Sequence, residues 1–329
     1  MKKTLTAAVL GTGFMGKTHL EVIKDLAEKI FICTTDIAEG EKLCEQYGAV
    51  LYTDFNELFD KEKIDFVSVC LPTPLHHDAV IAAANHKINV LCEKPFARSS
   101  VECEEMIEAA KKNNVLLMVA HPVRFTKAYE YLRRVLTEKR YGNLKFLSLT
   151  RHSAMPPWSV GDWLNNPNIS GGPVKDMHIH DTDYLLSVLG IPSAVVTTGN
   201  VIGTHTIYSY DGLDAAVHGS VSWRAITGYD FNASFDAAFE TGSVVSDNGN
   251  LKLYTLKGGF IENPMESEDF SPYFVSENAY ENEIKYFVSC ILENRPPLLC
   301  TPEDSLISIK INEFEVESMA RGKQVKVTI

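Results

Sequence analysis

The chain has no block of lysine or arginine. Its 31 basic residues stand against 43 acidic ones for a net charge of -12, so neither a nucleic-acid backbone nor an anionic membrane finds clustered cations to hold. No run approaches the ~18 apolar residues of a membrane span. The start "MKKTLTAAVLG" imitates a secretion signal, with two lysines ahead of an apolar run, but the run breaks at Gly11 and Lys17 follows, which fits a first buried strand better. None of the seven cysteines forms a C-x-x-C pair, and four lie in or beside apolar runs. They read as reduced core thiols of a cytoplasmic protein, Cys92 beside Lys94 included. Internal repeats and low-complexity segments are also missing. What remains is ordinary globular composition, 45% hydrophobic and 22% charged over 329 residues, enough for two domains with cores of their own.

The segment "GTGFMGKT", Gly11 to Thr18, satisfies both the G-x-G-x-x-G pattern of a dinucleotide fold and the G-x-x-x-x-G-K-[ST] pattern of a P-loop. Either way a glycine-rich turn brings backbone N–H groups to a phosphate at the positive end of a helix. The P-loop also needs Lys17 on the outer phosphates, Thr18 on magnesium, and a later apolar strand ending in an acid. The strands "DFVSVC" and "VLLMVA" end in none. A dinucleotide needs an acid closing the second strand to hold the adenosine ribose, and Asp36 closes "FICTTD". The register favours a dinucleotide. An aspartate there also repels a ribose 2′-phosphate, and "DIAEG" holds no arginine to neutralise one, which favours NAD over NADP.

Up to His121, short apolar runs alternate with amphipathic stretches, the pattern of a parallel sheet wrapped by helices. Residues 1–121 therefore form one domain and 122–329 another. In the second, "FTKAYEYLRRVLTEK" is a helix, "LKFLSLT" a strand, and Ser153 to Gly172 a loop. Then come strands of strict alternation: Phe231, Ala233, Phe235, Ala237 and Phe239 share one face, and Val217, Val221 and Trp223 share another. Asn248-Gly249 reads as a hairpin turn. The second domain is thus an antiparallel sheet with one apolar and one polar face, backed by helices, the last starting at Thr301-Pro302. Its polar face, carrying Arg224, Asn232, Ser234 and Asp236, is the expected surface of a homodimer or homotetramer.

Three stretches carry polar residues a bare scaffold does not need. "CLPTPLHHD" and "LCEKPFA" follow strands at the carboxyl edge of the first sheet, where ligands of open α/β folds bind. In "GGPVKDMHIHDTDYLLSVLG", His178 and His180 invite a metal site if extended, but Gly172-Pro173 and Gly190 bracket a helix. Helical spacing breaks the H-x-H pair and puts Asp176, His180 and Asp183 on one narrow stripe, with His178 turned away. No metal is expected. His180 oriented by Asp176 is the candidate acid–base pair, and Asp181 is expected to satisfy neighbouring backbone. In and just before the loop, Arg151, His152, Trp158, Trp163 and Asn165 are candidates to line a polyhydroxylated ligand.

Taken together, "GTGFMG" with His19 beyond it, Asp36, Pro72-Thr73 with His76, Glu93-Lys94-Pro95, "HPVRF" around Arg124, and Gly171-Gly172 leading to Asp176 and His180 resemble the Gfo/Idh/MocA family of NAD(P)-dependent oxidoreductases over essentially the full length. The resemblance implies a doubly wound Rossmann domain followed by an α/β domain with an open, mainly antiparallel sheet, and a sugar or polyol as substrate. It implies cofactor contacts from Gly11, Gly13, Phe14, Met15, Gly16, Asp36, Pro72, Thr73, His76, Glu93 and Lys94, a cis Lys94-Pro95 bond, and substrate contacts from Lys94, Arg124, Asp176 and His180. To these the residues' own chemistry adds Arg151, Trp158 and Trp163, since the loop around the tryptophans matches no substrate signature of the family. Lys94, His180 and Asp176 correspond to the catalytic lysine, histidine and aspartate of the inositol-dehydrogenase-like branch. The expected activity is oxidation of a secondary alcohol. A retained-NAD epimerase, lyase or glycosidase, or a non-catalytic sensor on the same fold, stays open as an alternative.

Overall fold

The computed structural model describes residues 5–156, 159–224, 226 and 228–329. The chain forms two compact units, Met1–Pro122 with Asn278–Leu306, and Val123–Glu277 with Ile307–Ile329. The first division lies one residue past the boundary expected from the sequence. The return of 278–306 to the first unit has no counterpart in that pattern.

In the first unit, strands and helices alternate in the order β1 (Leu5–Leu10), α1 (Phe14–Ile23), β2 (Ala27–Cys33), α2 (Ile37–Tyr47), β3 (Val50–Tyr52), α3 (Phe55–Lys61), β4 (Phe66–Val69), α4 (His76–Asn85), β5 (Asn89–Glu93), α5 (Ser100–Asn113) and β6 (Leu117–Ala120). The strands form one parallel sheet in the order β3-β2-β1-β4-β5-β6. The order reverses between β1 and β4, so the loops after these strands flank the switch point of a doubly wound fold. Strands β4 and β6 are buried along their whole length, which is why their sequences are apolar runs interrupted only by Ser68. Polar caps set the helix starts: Asp36, Asp54 and Ser99 accept N–H bonds at α2, α3 and α5. Strand β2 stops at Cys33, two residues before the end suggested by "FICTT", because the chain turns into the Asp36 cap.

The second unit opens with α6 (Lys127–Glu138), then β7 (Leu144–Ala154), α7 (Pro167–Ser170), α8 (Pro173–Asp176), α9 (Ile179–Leu189), β8 (Ala194–Gly199), β9 (Gly203–Ser209), β10 (Ala216–Arg224), β11 (Asn232–Phe239), β12 (Gly242–Asp247), β13 (Asn250–Thr255) and β14 (Phe260–Glu262). Helix α10 (Ala279–Glu293) belongs to the first unit, the division at 306/307 falls within α11 (Pro302–Arg321), and β15 (Val325–Lys326) closes the chain. The sheet runs β14-β13-β12-β11-β7-β10-β9-β8-β15. It is mixed rather than antiparallel throughout: β7 and β10 pair in parallel, which the long connection between them, carrying α7 to α9, makes possible. At Asn248-Gly249 both residues have positive φ, 47° and 86°, the signature of a type I′ hairpin turn.

Alternation in β11 buries Phe235, Ala237 and Phe239, whereas Phe231 precedes the strand and is 56% exposed. The apolar face of α6 packs here, with Tyr129 edge-on to Tyr184 at 4.8 Å and to Phe235 at 5.1 Å. The helix expected from Pro173 to Gly190 is broken. His178 N–H bonds back to Pro173 O and His180 N–H to Met177 O, so α8 and α9 meet at an irregular turn that resets the helical register.

Candidate functional site

In the first unit, each glycine of the loop after β1 meets a different demand. Gly11 has φ 95°, and a Cβ there would stand 2.6 Å from Cys70 O. At Gly16 a Cβ would sit 2.0 Å from Gly11 O, so this glycine lets α1 pack onto the turn. Gly13 is the opposite case, since a Cβ there meets nothing within 4 Å. It is the N-cap of α1, no side chain caps that helix, and no acid stands in its first turn. An open surface at an uncapped helix start suits a pyrophosphate. Lys17 and Thr18 do not face it as a P-loop requires: Lys17 Nζ pairs with Glu39 at 2.7 Å, and the Thr18 hydroxyl donates to Phe14 O at 2.9 Å. Asp36 is exposed, and its Oδ1 accepts the Glu39 N–H at 3.2 Å. It caps α2 while its carboxylate stays at the solvent, where a ribose diol can reach it. These residues fit a dinucleotide.

Two buried histidines bracket the Glu93-Lys94-Pro95 turn after β5. His19, on α1 and fully buried, has Nδ1 2.5 Å from Ser68 Oγ and Nε2 3.0 Å from Glu93 Oε1. The other Glu93 oxygen accepts the Lys94 backbone N–H at 3.1 Å. Burial pushes the imidazole down, but Cys70 and Glu93 beside it outweigh burial and hold it well above its ordinary value. Burial pushes Glu93 up, and His19 and then Lys94 hold it below the ordinary carboxylate range. Each shift favours the charged form of its group.

On the far side, His76 is 1% exposed. Its Nδ1 lies 3.0 Å from Pro95 O and its Nε2 2.8 Å from Leu71 O. Burial pushes its pKa down. Among the residues placed at the cofactor from the sequence, His76 and Glu93 are thus closed off from solvent and engaged with the turn itself. Lys94 is half-buried, Pro72 partly exposed, Thr73 buried, and Lys94-Pro95 is cis, as the family resemblance implies. Cys92 is fully buried and its pKa is pushed well up, an inert core thiol.

In the second unit, Asp176 and His180 are half-exposed on either side of the α8–α9 break. The three residues after His180 are buried and each is held by another element. Asp181 takes Arg151 Nη2 at 2.7 Å. The Thr182 hydroxyl donates to Glu315 Oε1 at 2.8 Å. Asp183 takes Arg124 Nε at 2.7 Å and Nη2 at 2.8 Å, with the Ser308 hydroxyl at 3.0 Å. Asp183 is thus engaged by Arg124 and Ser308 although it shares α9 with His180; it is Asp176, on α8, whose helical register the break resets relative to both. Asp181 satisfies a guanidinium, not neighbouring backbone.

Upstream of the break, α8 is tied to the same carboxylate. Asn312 Nδ2 donates to Val174 O at 2.6 Å and to Glu315 Oε2 at 2.7 Å, and Tyr208 OH donates to Glu315 Oε1 at 2.7 Å. His178 is fully buried with Nε2 3.0 Å from Tyr208 OH, and its ring lies where a Cβ on Gly219 would come within 2.7 Å. Burial pushes Glu315 up. Ser68, Glu315, Asn312 and Tyr208 were not singled out from the sequence. A polar residue inside an apolar strand, as in "FVSVC", or on the buried face of a helix was the available signal.

The residues proposed to line a sugar are mostly used by the fold. Arg151 and Arg124 lie in the ion pairs above, and His152 Nδ1 sits 2.7 Å from Ser222 Oγ. Asn165 donates to Pro156 O at 3.2 Å. Trp163 packs on a small core of Leu164, Met177, Val221 and Trp223. Trp158 lies outside the described residues. Among the described residues no group of three His, Cys, Asp or Glu is arranged to hold a metal ion, and no helix is long and apolar enough to cross a membrane.

Comparison with known proteins meets this geometry at both units. Residues 5–121 match the model "Oxidoreductase family, NAD-binding Rossmann fold", and residues 129–252 match "GFO/IDH/MocA C-terminal domain". A myo-inositol 2-dehydrogenase of Thermotoga maritima is 26% identical over 336 residues, covering 97% of each chain. A 2,7-anhydro-N-acetylneuraminate hydratase of Mediterraneibacter gnavus is 28% identical over 198 residues, 60% of this chain and 53% of that protein, so the chain spans about half of that relative. A levoglucosan dehydrogenase solved with NADH and levoglucosan superposes with a TM-score of 0.84 at 21% identity, covering 99% of this chain and 100% of the other, a likeness of fold. With its glycine turn open for a pyrophosphate and both halves matched by the family's models, the chain belongs to the Gfo/Idh/MocA oxidoreductases and carries their NAD-binding Rossmann domain.

Proposed function

We propose that the protein is an NAD-dependent dehydrogenase that oxidises a secondary alcohol of a sugar, polyol or sugar derivative. The observation that carries this reading is the uncapped start of α1 with Gly13 open beside it, together with an exposed Asp36 and a half-buried Lys94 at the carboxyl edge of the same sheet. The inositol 2-dehydrogenase relative, matched over nearly its whole length, supports the substrate class.

The N–H groups from Gly13 onward hold the pyrophosphate, and the Asp36 carboxylate takes the adenosine ribose hydroxyls. NAD, when bound, supplies the hydride acceptor. His180 takes the proton of the reacting hydroxyl as general base, Asp176 orients its ring, and Lys94 donates to the hydroxyl oxygen. Half-exposure leaves all three side chains partly open to a ligand. The test is a panel of polyols, aldoses, amino sugars and nucleotide sugars assayed for NADH formation. Turnover that vanishes in His180→Ala and Lys94→Ala supports the assignment, and undiminished turnover in either removes that residue from it.

The hydratase relative favours a second reading, in which the cofactor stays bound and is reoxidised within each cycle. Mass analysis of copurifying cofactor, run beside the panel, separates the two. Tightly held NAD with product formation but no NADH in solution points to the second.

A further inference from the structure

We propose that His19 is a positioning residue for Lys94: through Glu93 it fixes the backbone of the catalytic turn to the helix that begins at the phosphate-binding glycines. This rests on the reading that Lys94 acts on the reacting hydroxyl. The chain of contacts is continuous and dry. Ser68 Oγ holds His19 Nδ1 at 2.5 Å, His19 Nε2 holds Glu93 Oε1 at 3.0 Å, and Glu93 Oε2 takes the Lys94 N–H at 3.1 Å. Ser68 and His19 are fully buried and Glu93 is 4% exposed, so solvent does not compete for these bonds, and a buried carboxylate deprived of one donor is costly.

The geometry argues against mere scaffolding. Two apolar side chains would fill the space between α1 and β5 at less cost than two charges. What an ion pair adds is direction, because a carboxylate whose one oxygen is held by His19 presents the other at a fixed angle to the next peptide N–H. His76 holds the carbonyl of Pro95, so the peptide group before Lys94 and the one after Pro95 are both gripped. A side chain whose backbone is held on both sides explores fewer positions. A shift of ~1 Å in a catalytic group can cost roughly 100-fold in rate.

The experiment uses the full chain without added cofactor and reads amide hydrogen exchange in the 93–97 segment. His19→Leu should speed exchange of the Lys94 amide by about tenfold or more. His19→Gln, whose carboxamide can donate to Glu93 and accept from Ser68, should restore most of the protection. In turnover, His19→Leu should lower kcat roughly 10–100-fold, with the NAD Kd measured by fluorescence within about threefold of wild type. Should His19→Leu fail to fold, Glu93→Gln carries the test, since its single acceptor oxygen cannot serve both donors.

pH supplies a further readout. Glu93 is held below its ordinary 4.5, so its share of the stabilisation is present above that value and is lost as pH falls through the lowered one. His19 is held above its ordinary 6.5, so its share is fully present below 6.5 and is lost as pH rises through the raised value. The alkaline loss should vanish in His19→Gln. Unchanged Lys94 exchange in folded His19→Leu overturns the inference. If Lys94→Ala turns over normally, the functional reading fails instead, and the exchange result stands apart from it.

Discussion

Arg151 and Asp181 form a buried ion pair, Nη2 to Oδ1 at 2.7 Å with side chains 6% and 0% exposed. That places a residue which looks from its sequence context like a sugar ligand in the wall behind α9. Removing one partner of a buried pair leaves the other charge uncompensated, at about 3–5 kcal/mol. Arg151→Met should therefore lose that much in urea unfolding. A variant with unchanged stability but weakened substrate affinity returns Arg151 to ligand binding.

The glycines should separate stability from cofactor binding. Gly13 has φ -68° and open space at its Cβ, so Gly13→Ala should leave stability within about 0.5 kcal/mol while weakening NAD about tenfold or more, a loss of ~1.4 kcal/mol. Gly16→Ala, with its Cβ 2.0 Å from Gly11 O, should destabilise the fold outright. Equal effects of the two on thermal unfolding would contradict this division.

His178 and His180 should also behave differently, and not as their spacing alone suggests. From the sequence, a histidine turned away from the site on a helix is a silent position; in the structure His178 is fully buried and bonded to Tyr208. His178→Ala should cost about 2–4 kcal/mol through its cavity and the lost bond to the Tyr208 hydroxyl. His180→Ala should cost little stability but about 10²–10⁴-fold in rate. Denaturant midpoints and kcat, measured on both variants, check the contrast.

NAD should bind more tightly than NADP, because the exposed Asp36 carboxylate repels a 2′-phosphate. Asp36→Asn keeps an acceptor for the Glu39 N–H and removes only the charge, so it should narrow the preference without unfolding α2. Equilibrium titration with both cofactors decides it, and equal affinities in the wild-type chain would sink the claim.

The polar face of the second unit's sheet should mediate self-association. It carries Thr150, His152, His218, Ser234 and Asp236, and the rings of His205 and His218 lie 5.0 Å apart on it. A polar interface of this kind should weaken with added salt. Light scattering is expected to show a dimer or tetramer; a monomer at micromolar concentration argues against it.

Local patterns decided much of this protein. Continuous apolar runs separated by amphipathic stretches specify buried parallel strands, because only a sheet covered on both faces buries every side chain of a strand. The glycine spacing marks a phosphate turn, because φ, close packing and open approach are properties of single residues and their immediate neighbours. The Asn248-Gly249 turn was legible for the same reason.

Only the tertiary structure decided which polar residues face a ligand and which face each other. Arg151 finds Asp181, Arg124 finds Asp183, and His19 finds Glu93 across 30, 59 and 74 residues. No periodicity encodes such distances. The break between α8 and α9 was equally hidden: it is maintained by Glu315, Asn312 and Tyr208, which lie far downstream and bind the Val174 carbonyl and the Thr182 side chain on either side of it. A helix's local sequence proposes its register, but buried hydrogen bonds to other elements are worth more than propensity and settle it.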